Sequence, residues 1–332
     1  MAEVLIIAEA GVNHNGSIEL AKKLCYKAKE AGADVVKFQT WVTDKIITHD
    51  VAQADYQIEN TKNNQSQYDM LKALELSFDQ FRIIKEYCDE IGIQFASTAD
   101  ETESLDFLVD LGVPFIKIGS GENGNIPFLR YVGGKQLPVI LSTGMCSLAG
   151  VEASVRALQD GGAKDITLLQ CTTNYPCSFD SVNLRAMDTM KSAFHLPIGY
   201  SDHTVGIEVA LAAVARGAQV IEKHFTLDRS MDGPDHIAST EPDEFTKMVR
   251  AIRNVEACLG TGIKKPVLEE SEISKVILKR IVAKSEIKPG QVFTENNLCI
   301  KRSSKGIPGY FWDYIIGTEA KRHYLEDEGI DL

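Results

Sequence analysis

The feature that most constrains this chain is a repeated alternation, from residue 4 to residue 259, of short apolar β-like runs with helix-patterned stretches. The β-like runs are Val4–Ala8, Asp34–Gln39, Gln94–Ser97, Phe115–Gly119, Pro138–Ser142, Ile166–Cys171, Pro197–Tyr200 and Gln219–His224. Helix patterns fill the intervals at Ser17–Ala31, Phe78–Ile91, Thr102–Leu111, Ile126–Gly133, Leu148–Gly161, Asn183–Ala193 and Gly206–Arg216, and an eighth covers Pro242–Leu259. Strict β–α alternation implies a parallel sheet, because a parallel neighbour needs a crossover long enough to hold a helix. Eight such units in roughly 260 residues predict a closed (β/α)8 or TIM barrel. Several helix patterns stop at glycine just before the next strand, in EAGAD, EIGIQ, DLGVP, DGGAK and ARGAQ. Glycine readily takes the left-handed conformation that ends a helix. An open doubly wound sheet is the competing architecture, but no GxGxxG follows the first strand, which disfavours its dinucleotide-binding form.

Two segments depart from the rhythm. Thr40–Ser77, rich in Asp, Asn, Gln and Thr, is far longer than an ordinary connection and reads as a lid or binding excursion. After Leu259 the alternation ends. Residues 1–260 are assigned to the barrel, 261–274 to a polar linker, and 275–332 to a small domain with β-like pieces and a turn at Lys288-Pro289-Gly290. A domain that small has a thin core and is expected to lean on a partner.

Composition narrows the partners. A formal charge of −12 argues against nucleic acid or an anionic membrane, although a local cationic pocket remains compatible with it. The seven cysteines form no CxxC pair and read as free thiols. The start, MAEVLIIAEAG, lacks a basic n-region, and no apolar run is long enough to cross a bilayer. A cytoplasmic enzyme is expected.

In a barrel, the C-terminal strand ends face one mouth. Those ends gather Glu9, Asn13, His14, Lys37, Gln39, Ser97, Thr98, Lys117, Ser120, Glu122, Ser142 and Thr143. They continue with Thr172, Thr173, Asn174, Tyr175, Ser201, Asp202, His203, Glu222 and His224. Lys37 and Lys117 lie inside apolar runs, where an unpaired ammonium would be costly. One such lysine would suggest an internal pair with Glu9, Glu122 or Glu222; two beside Ser, Thr and Gly loops suggest an anion site for phosphate or carboxylate. A Schiff-base lysine is the rival chemistry. His203 and His224, on adjacent strand ends, favour a divalent metal instead.

The motifs EAGVNHNGS, VVKFQT, IKIGSGE, ILSTGM, CTTNYP, GYSDHT, IEKHFTLD and GPDH, in this order, resemble the bacterial sialic acid synthases, including the N-acetylneuraminate and legionaminic acid synthases. The C-terminal piece resembles their antifreeze-like (SAF) domain. The resemblance covers essentially the whole chain. It implies condensation of phosphoenolpyruvate with N-acetylmannosamine, or its 2,4-diacetamido-2,4,6-trideoxy analogue, giving a nine-carbon 2-keto acid and phosphate. It further implies that His203 and His224 hold Mn2+ or Mg2+. Lys37, Thr98, Lys117, Ser120, Ser142, Thr173, Tyr175 and Ser201 would hold phosphoenolpyruvate. Glu9 and Asp235 would contact the open-chain sugar, with Glu9 also orienting or deprotonating the attacking water. Arg302, in IKRSSKGI, matches the arginine that the family's antifreeze-like domain extends into a partner subunit's barrel, so a homodimer with exchanged C-terminal domains is implied. Two departures stand out. The family's STPF is Ser97-Thr98-Ala99-Asp100 here, which adds a carboxylate near the anion site, and its KRPGxGI is KRSSKGI. GPDH, which relatives using pseudaminic acid precursors tend to lack, is kept at Gly233–His236, with His236 set behind the site.

Overall fold

The computed structural model describes residues 3–54, 57–58, 60 and 65–331. Part of the long excursion (55–56, 59 and 61–64) lies outside the described residues. The chain divides into two compact units, Met1–Gly260 and Thr261–Leu332.

The first unit is a closed barrel of eight parallel strands in sequential order. They are β1 (Leu5–Gly11), β2 (Val35–Thr40), β3 (Gln94–Ala99), β4 (Ile116–Ile118), β5 (Val139–Ser142), β6 (Ile166–Cys171), β7 (Ile198–Asp202) and β8 (Val220–His224). The barrel read from the alternation is therefore the observed one. The glycine stops have the expected geometry, with Gly32, Gly92, Gly112, Gly162 and Gly217 all at positive φ. Serine caps the other end of several helices; Ser77 and Gln80 form a reciprocal capping box at the start of Phe78–Ile91.

Strand phase then decides what fills the barrel. Side chains alternate between the two faces of a strand, so every second residue points inward. Ile7, Val35, Ala96, Phe115, Ile140, Leu169 and Val220 form a buried apolar plug. Two residues further along the same strands stand Glu9, Lys37, Thr98, Lys117, Ser142, Cys171 and Glu222. The site is thus the next inward layer above a greasy floor. The larger apolar core lies outside, between the strands and the surrounding helices.

Register places the polar layer side by side. Glu9 is in register with Lys37 on one side and His224 on the other, Thr98 with Lys117, and Ser201 with both Cys171 and Glu222. Among its described residues the excursion after β2 includes the short helices Thr43–Ile46 and Gln67–Leu74. It is pinned by a small apolar cluster of Val12, Trp41, Met70 and Leu74, with Ile46 and Leu71 against it.

The segment read as a linker over 261–274 contains most of a helix, Leu268–Ile277, none of whose residues is buried. Glu269 and Glu270 in its first turn favour the positive end of the helix dipole, a local signal that its overall polarity concealed. Beyond it, β9 (Lys279–Ala283) pairs antiparallel with β10 (Leu298–Arg302). Ile281, Ile287, Phe293, Leu298, Tyr324 and Ile330 build a separate core there. Among the described residues no helix is long and apolar enough to cross a membrane.

Helices Ile126–Gly134 and Leu148–Gly161 approach backbone to backbone at their glycines. A Cβ on Gly161 would lie 2.1 Å from the Arg130 carbonyl oxygen, and one on Gly133 would lie 2.2 Å from that of Leu158. Neither oxygen can move without shifting a helix. Gly161→Ala is expected to destabilise the barrel by about 1–3 kcal/mol, read from denaturant unfolding against Gly134→Ala, whose added Cβ meets nothing closer than 3.9 Å and which, like Gly161, is not at positive φ.

Candidate active site

The site is organised by Glu222. Its Oε1 accepts from Ser201 Oγ at 3.0 Å and lies 3.5 Å from Lys117 Nζ, while Oε2 lies 3.8 Å from Lys37 Nζ. Each lysine is 2% exposed, so these charges sit out of water and need their partners. Lys37 also meets Glu9 Oε2 at 2.5 Å and donates to Thr98 Oγ1 at 2.9 Å. Lys117 donates to Ser142 Oγ at 2.9 Å and to the Ile118 carbonyl at 3.2 Å. Glu9 is completed by Gln39 Nε2, which donates to its Oε1 at 2.9 Å. The internal pairing considered as the bland alternative is present, with Glu9 and Glu222; Glu122 instead accepts from Asn125 Nδ2.

The two glutamates are driven apart in acidity. Burial opposes ionisation of Glu222, but Lys117 and Lys37 together with His224 bring its pKa down to about 2. Burial dominates at Glu9 and, despite Lys37 and aided by Glu222, carries its pKa up to about 7. Lys37 overcomes burial through Glu222 and Glu9 and is raised, whereas burial of Lys117 outweighs the pull of Glu222 and lowers it. Glu222 is the fixed anion of the set, and Glu9 is the member able to exchange a proton near neutrality.

On the β7–β8 side, His203 Nδ1 donates to the Thr172 carbonyl oxygen at 2.7 Å, since that oxygen can only accept. This fixes its tautomer and leaves Nε2 as its ligand nitrogen. The His203 and His224 rings lie 5.3 Å apart between centroids, and Tyr175 packs on both, at 4.2 and 5.5 Å. His224 Nδ1 is buried without a hydrogen bond, and Asp235 Oδ2 is 4.0 Å away. Burial pushes Asp235 up to about 6. Among the described residues no group of three or more His, Cys, Asp or Glu side chains could hold a metal ion. The two imidazoles would fit a divalent cation as a partial donor set only.

Of the thirteen side chains to which the resemblance gives a role, twelve line one cavity of about 240 Å3: Glu9, Lys37, Thr98, Lys117, Ser120, Ser142, Thr173, Tyr175, Ser201, His203, His224 and Asp235. Arg302 is exposed on β10 in the second unit. Thr173 Oγ1, like His224 Nδ1, is a buried polar atom of this cavity without a hydrogen-bond partner, which suits a site made for a polar ligand.

Other strand-end residues turn away. Asn13 donates to the Phe225 carbonyl and Ser239 Oγ, His14 Nδ1 accepts from the Gly16 amide, and Asp202 pairs with buried Lys223 at 2.7 Å. His236 is buried, with Nδ1 2.6 Å from Thr226 Oγ1, and braces the GPDH loop. The cavity also gains residues that the sequence reading passed over, among them Val12, Gln57, Met70, Leu71, Leu74 and Cys171. Phase could have found Cys171, two places after Leu169; the excursion carries no strand phase to read. Asp100, the departure from STPF, does line the cavity, and burial aided by Glu122 pushes its pKa up to about 7.

Comparison with known proteins follows the same lines. Residues 24–264 match the NeuB family and residues 280–331 match the SAF domain. An N,N'-diacetyllegionaminic acid synthase of Campylobacter jejuni is 46% identical over 330 residues, covering 99% of each chain. A protein of the same description from Legionella pneumophila is 45% identical, over 94% of this chain and 89% of that one. A crystal structure of an N-acetylneuraminic acid (sialic acid) synthetase from Leptospira borgpetersenii, in complex with citrate, is 35% identical with a TM-score of 0.71, covering 82% of this chain and 90% of that one.

Proposed function

This chain belongs to the NeuB family, and we propose that it condenses phosphoenolpyruvate with an N-acetylmannosamine-type sugar and water, releasing phosphate and a nine-carbon nonulosonic acid. The observation that carries the reading is the pair of buried lysines bridged by Glu222, set beside two imidazoles at one barrel mouth. The names of the Campylobacter and Legionella relatives support the same class of product.

In this reading phosphoenolpyruvate lies over the β2–β7 side. Lys37 and Lys117 meet its charges, and Thr98, Ser120, Ser142, Thr173, Tyr175 and Ser201 supply polar contacts. Its C3 attacks the sugar's aldehyde carbon, positive charge develops at C2, and water adds there before phosphate leaves by C–O cleavage. The fixed anion of Glu222 favours that positive charge in a site from which water is largely excluded. Glu9, near neutrality in its acidity, takes the proton from the attacking water, and Asp235 holds a hydroxyl of the sugar. A divalent cation, Mn2+ or Mg2+, would be held by His203 and His224 and, when bound, supplies a Lewis acid for the sugar's carbonyl oxygen.

A homodimer with exchanged C-terminal domains completes the proposal, Arg302 of the partner subunit recognising the sugar's N-acetyl group. Exposed apolar side chains support it. Met145, Phe179, Val205 and Ile237 stand on the loops after β5, β6, β7 and β8, a collar around half of the mouth that suits a docking domain.

Three outcomes are expected. Phosphate release from phosphoenolpyruvate requires the sugar, stops after chelator treatment and returns with Mn2+ or Mg2+; full activity without metal would remove the role given to His203 and His224. Because Glu9 works ionised, kcat/KM falls as the pH drops below about 7, and Glu9→Gln lowers kcat/KM roughly 10²–10⁴-fold and flattens that limb. Co-expressed Glu9→Gln and Arg302→Ala subunits, each inactive alone, regain about half the wild-type activity per heterodimer, because one barrel then meets an intact partner domain. No recovery would mean that Arg302 does not act across subunits.

A further inference from the structure

Asp100 marks a point where this chain departs from the STPF of its relatives, and the fold delivers it to the site. The β2–β3 ladder runs on past the strand end: Thr40 is in register with Ala99, and the Asp100 amide donates to the Thr40 carbonyl at 3.4 Å. That pairing preserves the period of two, so Asp100 continues the inward series Ala96, Thr98 and stands one layer above Thr98, partly buried in the cavity wall. Beneath it the hydroxyls are arranged to donate. Lys37 donates to Thr98 Oγ1 and Lys117 to Ser142 Oγ, each at 2.9 Å, so both hydroxyls accept from an ammonium and keep their own hydrogen for a ligand.

The charges that face Asp100 are mixed. Lys37 on β2 and Lys117 on β4 favour its anion, while Glu122, just after β4, and Glu9 on β1 oppose it. On the side of the excursion, Lys45 borders the same surface hollow as Asp100 but is paired with Glu103. Glu101, the next residue along, turns to cap the helix Thr102–Leu111. Burial is the largest influence on Asp100, and together with Glu122 it outweighs the lysines, which leaves a carboxyl group that is neutral below about pH 7.

We propose that Asp100 binds phosphoenolpyruvate as a neutral carboxylic acid, donating a hydrogen bond to a phosphate oxygen held above Thr98. The proposal rests on the synthase reading above. An ionised carboxylate at this position would meet the phosphate as a like charge, whereas the protonated acid adds one more donor to those of Thr98 and Ser142. The phosphate is the acceptor because it is the more basic of the ligand's two anionic groups, with a second pKa of about 6. The bound phosphate in turn holds the proton on Asp100, so that binding and protonation support each other. Affinity is therefore full at a pH where free Asp100 is protonated and is lost as the pH rises beyond it.

The test is equilibrium binding of phosphoenolpyruvate in the absence of sugar, so that nothing turns over. It compares the wild-type protein with Asp100→Asn, which keeps a donor and cannot ionise, and with Asp100→Ala, which has neither. Each Kd is read as a ratio to that of Asp100→Asn at the same pH, which cancels the ligand's own ionisation. Wild type and Asp100→Asn are expected to bind equally near pH ~6, and the wild type to bind about 10-fold more weakly near pH ~8, one proton being taken up with the ligand. Asp100→Ala is expected to bind about 3–10-fold more weakly than wild type near pH ~6, the loss of one hydrogen bond. Inorganic phosphate, competing with phosphoenolpyruvate, reproduces the difference seen at high pH; pyruvate, which has the carboxylate alone, does not. A ratio unmoved by pH, an Asp100→Ala Kd equal to wild type near pH ~6, or a difference that follows pyruvate overturns the assignment and leaves the synthase reading standing. No binding of phosphoenolpyruvate by the wild type at either pH overturns the synthase reading, and the role of Asp100 with it.

Discussion

Everything at this mouth depends on one carboxylate, Glu222, standing between two buried ammonium groups. Two lysines that close, and that dry, would repel each other and shed protons. With Glu222 held at low pKa by Lys117 and Lys37, the barrel keeps a charged floor whose ionic partners leave an anion room to bind above it. The same arrangement separates the roles of the acids. Glu222 is committed to the lysines, and Glu9, paired with Lys37 but dominated by burial, is left free to exchange a proton. Pairs of titratable groups pushed apart by their surroundings are a recurring sign of acid–base chemistry.

The floor is possible because of the layer beneath it. Ile7, Val35, Ile140, Leu169 and Val220 close the barrel below, so the polar residues two positions further on are walled from water on one side and open to ligand on the other. This is why the barrel portion of the site was legible in the sequence. A strand has period two, the strand ends were marked by their apolar runs, and Glu9, Lys37, Lys117, Glu222 and His224 follow from phase alone. The failures are equally physical. Asn13, Asp202 and Glu122 lie at or just beyond strand ends and look equivalent to site residues in one dimension, yet Asp202 points to Lys223 and Asn13 to Phe225 and Ser239.

What the sequence concealed lies outside the strands. The lining by Met70, Leu71 and Leu74 comes from a helix inside a polar excursion, where nothing announces that its apolar face will pack on Val12 and Trp41. The helix Leu268–Ile277 was likewise hidden in what read as a linker, since it buries none of its residues and is specified by end effects. Arg302 carries no local mark at all: it is an exposed residue on β10, and only the resemblance to relatives singles it out. The strands give the site its reacting half, and segments that lack strand phase supply its apolar lining.

The central claim is that Lys37 and Lys117 act as cations held by Glu222, and never as amine nucleophiles. Borohydride added during turnover, followed by mass spectrometry of the peptides carrying the two lysines, tests it directly. The account predicts that both lysines are recovered unmodified and that turnover continues while reductant and substrates are present. A reduced three-carbon or sugar adduct on either lysine would contradict it, and Lys117, whose pKa burial lowers, is where such an adduct would form.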